Sequence, residues 1–224
     1  MDRRRQLKLQ EKKKKRQLAN KKKREAAARR PDPQQLLMNA AARGPFGPCA
    51  ISKGWNKAES GEIPELVSVV VTRRLPDGDL VPSVALVDRT CLGVKDAFVT
   101  EKIAEEELDE FLDELGAPHG GMERCEPLVV QSVVYHAVDY ARRLGFEPAR
   151  DFPEALFGPR PAELQATPWH AADRPIFVGG PHDDLQEIVE QLVSAVGADG
   201  FDFVDLEDED ETDHEDEDED EKRG

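Results

Sequence analysis

A valine-rich stretch over residues 66–99 constrains the fold more strongly than any other part of the chain. It reads LVSVVVTRRLPDGDLVPSVALVDRTCLGVKDAFV, with two β-branched, apolar runs on either side of a Pro-Asp-Gly turn. Runs of this kind around such a turn predict a β-hairpin. We therefore expect strands over 66–74 and 80–89. The following Cys-Leu-Gly-Val-Lys-Asp segment is interpreted as a tight bend into a helical region.

Apolar periodicity and capping residues predict the helices. Asp32 and Pro33 form a cap and first-turn pair for a short helix that Gly44 ends. The longest helix begins at Pro127 and closes at Gly145, and its broad apolar face predicts the central packing element. Two further amphipathic helices are expected over 101–115, capped by Thr100, and over 185–196. Short strands are expected over 49–52, at a sheet edge, and over 175–178 and 201–204.

These elements predict one α/β or α+β domain, a small hairpin-led sheet covered by about three helices. We place this domain at residues 49–204, after a short helix and linker over 31–48. Residues 205–224 are expected to be a disordered acidic tail, and residues 1–30 a basic arm that is disordered or, when its charge is neutralised, helical. A core of this length can bury enough apolar surface to be stable.

The chain separates its charges sharply. Residues 1–30 contain 15 Lys/Arg and three acids, whereas residues 205–224 contain 14 Asp/Glu and two cations. These tails carry +12 and −12, so residues 31–204 carry the net charge of −16. An acidic body repels phosphate, which leaves the N-terminal segment as the part suited to polyanions.

The N-terminal basic arm, residues 1–30, has no apolar stripe and strong like-charge repulsion at helical spacing. One interpretation is a phosphate-binding arm for RNA, DNA or the ribosome, which gains affinity by counterion release without reading sequence. The alternatives are a solubilising tail and an arm that folds back on the acidic tail. The candidate phosphate-binding residues are Arg3, Arg4, Arg5, Lys12, Lys13, Lys14, Lys15, Arg16, Lys21, Lys22, Lys23 and Arg24.

Two acidic clusters are candidates for catalysis. Asp88 ends the second hairpin strand and Asp96 follows shortly after, so the two carboxylates could share a divalent cation that activates water. The alternative is that Asp88 caps the bend through backbone N–H groups while Lys95 pairs with a nearby acid. The second cluster is His182-Asp183-Asp184, which has two interpretations. Asp183 or Asp184 caps the following helix, or the cluster shares a metal site with Asp88 or Asp96.

Three phrases of the chain resemble a family of uncharacterised bacterial proteins. The phrases are VVVTRRLPDG…VALVDRTCLGVKDAF, VVYHAVDYARRLGFEPARDF and IFVGGPHDDLQEI. The resemblance covers roughly residues 50–204 and excludes both charged tails. It implies this order of hairpin, bend, long helix and GP-x-DD turn, and it assigns no activity and no catalytic residue.

Cys49, Cys91 and Cys125 are odd in number and far apart in sequence, which indicates neither a disulfide framework nor a zinc site. No apolar run suggests a membrane span or an export signal. We therefore expect a soluble cytoplasmic protein without cofactor or metal. It would be a non-catalytic nucleic-acid- or ribosome-associated protein. A metal-dependent phosphodiesterase and an interaction module for basic proteins are the alternatives.

Overall fold

The hairpin forms the middle of a five-stranded antiparallel sheet. The computed structural model describes residues 32–56, 66–167, 174–180 and 183–204. Strand β1 is Cys49–Ser52, β2 is Leu66–Arg74, β3 is Leu80–Asp88, β4 is Gly93–Val99 and β5 is Met122–Cys125. The order in the sheet is β4-β3-β2-β1-β5. The predictions for residues 1–30, His182 and 205–224 lie outside the described residues.

Five α-helices accompany the sheet in the described part of the chain. They are α1, Pro33–Ala41; α2, Leu108–Gly116; α3, Pro127–Arg143; α4, Glu154–Phe157; and α5, Leu185–Val196. Short 3₁₀ turns, Glu105–Glu107 and Ala117–His119, flank α2. Strands β6, Ile176–Val178, and β7, Asp202–Val204, pair in parallel as a separate small sheet. The chain is thus a mixed α/β domain, as the sequence predicted.

Both faces of the central strands are buried, so helices must cover the sheet on two sides. Val67, Val69 and Val71 point towards α3, which adds Val130, Val134, Ala137 and Val138 to the same core. Val70 and Val84 point to the other face, where Leu108 and Leu112 of α2 cover them. The prediction that the Pro127 helix is the central packing element is therefore consistent with the observed packing.

Strand β4 replaces the predicted bend. Residues 93–99 pair with β3 in antiparallel register, and the register shifts between Leu86 and Val87. This irregularity places Lys95 as an extra residue, which breaks the alternation expected of a strand. Gly93 makes the start possible, because its φ is +74° and α3 crosses closely above it. A Cβ at Gly93 would lie 2.8 Å from the Cβ of Ala141.

Two further expectations need correction. The helix predicted from Glu101 begins later, because Ile103 exchanges two backbone hydrogen bonds of 2.8 Å with Leu80 and so extends residues 101–104. Thr100 therefore caps no helix. Strand β1, expected at an edge, instead lies between β2 and β5. The four-residue strand β5 that occupies the edge was not predicted.

The N- and C-terminal elements pack on opposite ends of this core. Helix α1 begins as predicted, with Asp32 accepting from the backbone N–H of Gln34, and its fully buried Ala41 packs with Leu156. At the other end, Phe177 of β6 and Leu192 of α5 pack with Cys91 and the end of α3. This second cluster brings the turn before α5 close to β4.

We expect Gly93→Ala to lower the free energy of unfolding by about 3 kcal/mol, since it adds a clash with α3 to the cost of a left-handed backbone. Gly120→Ala is the matched control, because Gly120 has the same φ of +74° and no atom within 4 Å of the place where a Cβ would lie. It should cost about 1 kcal/mol. Urea unfolding measures both, and equal losses would contradict the close α3 packing.

Candidate functional site

Asp88 serves as an acceptor for the turn that follows β3. Its Oδ1 accepts from the backbone N–H of Thr90 at 2.8 Å, the Thr90 hydroxyl at 3.0 Å and the backbone N–H of Cys91 at 2.9 Å. The side chain is buried, and burial raises its pKa more than these donors lower it. The alternative in which Asp88 caps the bend through backbone N–H groups matches this geometry.

Lys95 is the charged partner of Asp183. Its Nζ is 2.6 Å from Oδ2 of Asp183, and both side chains are largely shielded from solvent. The same Oδ2 also accepts from the backbone N–H of Gly180 at 2.8 Å. Asp184 caps α5 by accepting from the N–H of Glu187 at 3.1 Å. Asp183 and Asp184 therefore fix the turn and the helix that follows it.

These contacts engage the carboxylates that a metal-dependent reaction would require. Asp96, the fourth candidate, is exposed and accepts from the adjacent N–H of Ala97 at 2.8 Å. Across the described residues, no three carboxylate, histidine or cysteine side chains are grouped so that they could hold a metal ion. A lysine ammonium already neutralises Asp183. The geometry thus gives no support to the phosphodiesterase alternative.

His136 and Asp139 of α3, which the sequence places on one helix face, hold the loop after α4. The Nε2 of His136 lies 3.1 Å from the carbonyl oxygen of Gln165. Asp139 forms an ion pair of 2.5 Å with Arg160, and this contact lowers the pKa of the Asp139 carboxyl. Their arrangement is structural.

The cations of the body are largely engaged. Residues 31–204 contain 14 Lys/Arg and 30 Asp/Glu. Seven of these cations form ion pairs with carboxylates in the described residues: Arg74, Lys95, Lys102, Arg124, Arg142, Arg160 and Arg174. Arg43, Lys53, Arg143 and Arg150 are exposed outside those pairs. The body therefore presents few cations to a phosphate backbone.

Arg73 and Arg89 are buried, and both donate to carbonyl oxygens of the main chain. Arg73 donates to the carbonyl oxygens of Leu156 at 2.7 Å and Gly44 at 3.2 Å, with its guanidinium 3.6 Å from the centre of the Phe46 ring. Arg89 donates to the carbonyl oxygen of Trp55 at 2.6 Å. Burial lowers the pKa of both, that of Arg89 to about 10. The burial of Arg73 was not predicted from the sequence, although this residue continues the alternation of Val67, Val69 and Val71.

A strongly acidic surface covers the outer side of α2. We call it the acidic ridge, and it consists of the exposed residues Glu105, Glu106, Glu107, Asp109, Glu110, Asp113 and Glu114. Arg74 pairs with Glu105 at 2.8 Å and Arg124 with Asp109 at 2.5 Å, while the remaining five carboxylates have no ion pair within the described part of the chain. The ridge repels phosphate and attracts cationic groups.

Comparison with known proteins adds no assignment to this geometry. No family model, no curated protein and no solved structure matches the chain. The resemblance to the bacterial family therefore stays a prediction. Within the described residues, no helix has the length and apolar character needed to cross a membrane.

We expect Asp88→Ala to lower the free energy of unfolding by about 2–4 kcal/mol, because it leaves buried N–H groups without an acceptor. Asp88→Asn keeps an acceptor oxygen at that position and should cost less than half as much. Thermal and urea unfolding at neutral pH measure both. Asp96→Asn, an exposed change of the same charge, is the control and should be nearly neutral.

The difference in the free energy of unfolding between the wild type and Asp88→Asn should depend on pH. Burial raises the folded-state pKa of Asp88, so its protonated form is favoured by folding and its contribution is lost as pH rises through that pKa. The free energy of unfolding of the wild type should thus fall relative to that of Asp88→Asn as the pH is raised. The series starts at about pH 3.5, which lies below the ordinary pKa of Asp. A difference that stays constant with pH would contradict the burial effect.

Proposed function

We propose that the protein is a non-catalytic binder of nucleic-acid phosphates, which it contacts through the basic arm, residues 1–30. The observation that carries this proposal is the state of the cations in the body. Most of those described are paired with carboxylates or buried, and 30 Asp/Glu face 14 Lys/Arg over residues 31–204. The arm, by contrast, concentrates 15 Lys/Arg in 30 residues.

The proposed binding is electrostatic and independent of sequence. A cation that neutralises a phosphate releases a condensed counterion, so affinity falls steeply with salt. If six of the arm's cations contact phosphates, a rise in salt from 50 to 200 mM would lower the affinity about 10³-fold. Six is fewer than half of the cations in the arm. The acidic body limits the contact to the arm, because the field of the body opposes a closer approach of the polyanion.

The acidic tail, residues 205–224, supplies a competitor on the same chain. Its charge of −12 equals that of the arm in magnitude and is opposite in sign. Its carboxylates and the nucleic acid therefore compete for the same lysines and arginines. This competition would weaken loose binding and leave tight polyanion contacts less affected.

The acidic ridge favours a second candidate function, recognition of basic protein segments. Five of its exposed carboxylates lie outside the ion pairs of the described residues. Lysine- and arginine-rich peptides could bind there by charge complementarity. In this alternative the body imitates a polyanion, and the basic arm is not required for binding.

The first prediction of this proposal concerns deletion of residues 1–30. The deletion should abolish binding to a fluorescent single-stranded RNA and to duplex DNA, because it removes the cations that release counterions. Fluorescence anisotropy at about 50 and 200 mM salt measures affinity and salt dependence together. Deletion of residues 205–224 should instead strengthen binding.

A matched pair of variants separates the arm from the body. Replacing Lys12, Lys13, Lys14 and Lys15 by Gln should reduce both the affinity and its salt dependence. The control, Arg43→Gln with Arg150→Gln, removes exposed body cations and should change neither by more than about twofold, since exposed single charges contribute little. Undiminished binding by the arm-less protein would end this proposal.

The alternative function gives a separate expectation. Neutralising the ridge through Glu106→Gln, Glu110→Gln, Asp113→Asn and Glu114→Gln should weaken binding of an Arg-rich peptide to protein lacking both tails. Isothermal titration measures it at low salt. If the ridge variant and its parent bind the peptide equally, the ridge is not the binding surface.

A further inference from the structure

Cys49 and Cys125 face each other across the β1–β5 ladder. Their Cα atoms are partners in the register, at the first residue of β1 and the last of β5. Along the same ladder, the N–H of Lys53 donates to the carbonyl oxygen of Gly121 at 3.0 Å. Pairing alternates along an antiparallel ladder, so Cys49 and Cys125 take a hydrogen-bonded position, with Cα atoms about 5.5 Å apart. This spacing falls inside the range of about 4.4–6.8 Å seen in disulfides.

The two side chains lie on the same face of the sheet. Cys49 and its neighbour Ile51 belong to the core under α3, and Cys125 packs against that core. The other face takes the alternate residues, Ala50 and Met122, which pack with α2. Side chains directly opposite each other in an antiparallel pair point the same way. The two side chains therefore occupy directly opposite positions on one face of the ladder, although 75 residues separate them in the chain.

We propose that Cys49 and Cys125 form a reversible intramolecular disulfide, a modification site in the sheet. With glutathione disulfide as oxidant, the Cys125 thiolate attacks one glutathione sulfur and releases the other glutathione as a thiolate. The Cys49 thiolate then attacks the Cys125 sulfur and releases the second glutathione. Both protein thiols lose a proton, the pair loses two electrons, and one glutathione disulfide becomes two glutathione thiols.

The exposure of the two cysteines determines which thiol reacts with the oxidant first. Cys49 is almost fully buried, while Cys125 is partly exposed, so the oxidant reaches Cys125 first. Cys91, the third cysteine, is fully buried in the separate cluster with Phe177 and Leu192. It has no cysteine opposite it in the sheet register. The proposal therefore concerns a single pair.

The position of the pair explains why the bond would be reversible. Cβ atoms at a hydrogen-bonded cross-strand position are about 5.5 Å apart, and a disulfide requires about 4 Å. Both residues end their strands, where a small twist can close this gap. A bond closed under such strain is more easily reduced than a relaxed one.

The surroundings of the thiols set the rate. Burial raises the pKa of Cys49 to about 11 and that of Cys125 to about 12, and each of these thiols lies close to charged groups. The charged neighbours are Arg73, Arg124 and Glu126 for Cys49, and Glu123 and Glu126 for Cys125. Because the thiolate is the nucleophile, oxidation should be slow at pH 7 and about tenfold faster per pH unit up to pH 9.

The test equilibrates the full-length protein in glutathione redox buffers at pH 8.5 and maps its peptides by mass spectrometry without reduction. We expect a linked peptide pair containing Cys49 and Cys125, lighter by two hydrogen atoms than the two free peptides. Closing so long a loop restricts the unfolded chain, so the oxidised protein should melt about 5–10 °C higher. Added dithiothreitol should reverse both changes.

The control variants distinguish this pair from general oxidation. Cys91→Ala should retain the linked peptide pair, whereas Cys125→Ser should remove both the link and the rise in melting temperature. Three results would each overturn the proposal: both thiols still free after equilibration in oxidised glutathione, links between different chains, or a link that includes Cys91.

Discussion

Burial of β2 and β3 on both faces is the constraint on which the remaining architecture depends. An antiparallel sheet commonly leaves one face in water, but nearly every residue of these two strands is buried. Helix α3 must therefore cover one face and α2 the other. Helix α3 approaches Gly93 closely through the small residues Ala137 and Ala141. This contact fixes the start of β4, the strand that pairs with β3.

This two-sided core also determines what the polar groups at its margins can do. A buried charge is costly unless hydrogen bonds or an opposite charge compensate it, and the structure supplies both. Asp88 receives N–H and hydroxyl donors, Arg73 donates to carbonyl oxygens, and Lys95 meets Asp183. Groups that looked chemically available in the sequence are thus engaged in holding the turns. The charge left on the surface is mainly negative, and this asymmetry leads to a functional proposal centred on the arm.

Local signals were sufficient for some elements and misleading for others. The turn around Gly78, the Pro127 helix and the cap at Asp32 depend on near neighbours in sequence, and each was predicted. Strand β4 was not, because its extra residue at Lys95 interrupts the alternation and its pairing with β3 is a tertiary contact. The short strand β5 carries no periodic signal. The Asp88 turn could be anticipated as one alternative, whereas the opposition of Cys49 and Cys125 depends on sheet register that no spacing encodes.

Lysine footprinting of the full-length protein tests the central functional claim most directly. The protein is acetylated with and without a bound single-stranded RNA at low salt, and modification is quantified for each lysine by mass spectrometry. If the arm binds the RNA, Lys12, Lys13, Lys14 and Lys15 will be protected, and Lys53 and Lys102 of the body will be modified as before. Protection of the body lysines without protection in the arm would contradict this claim.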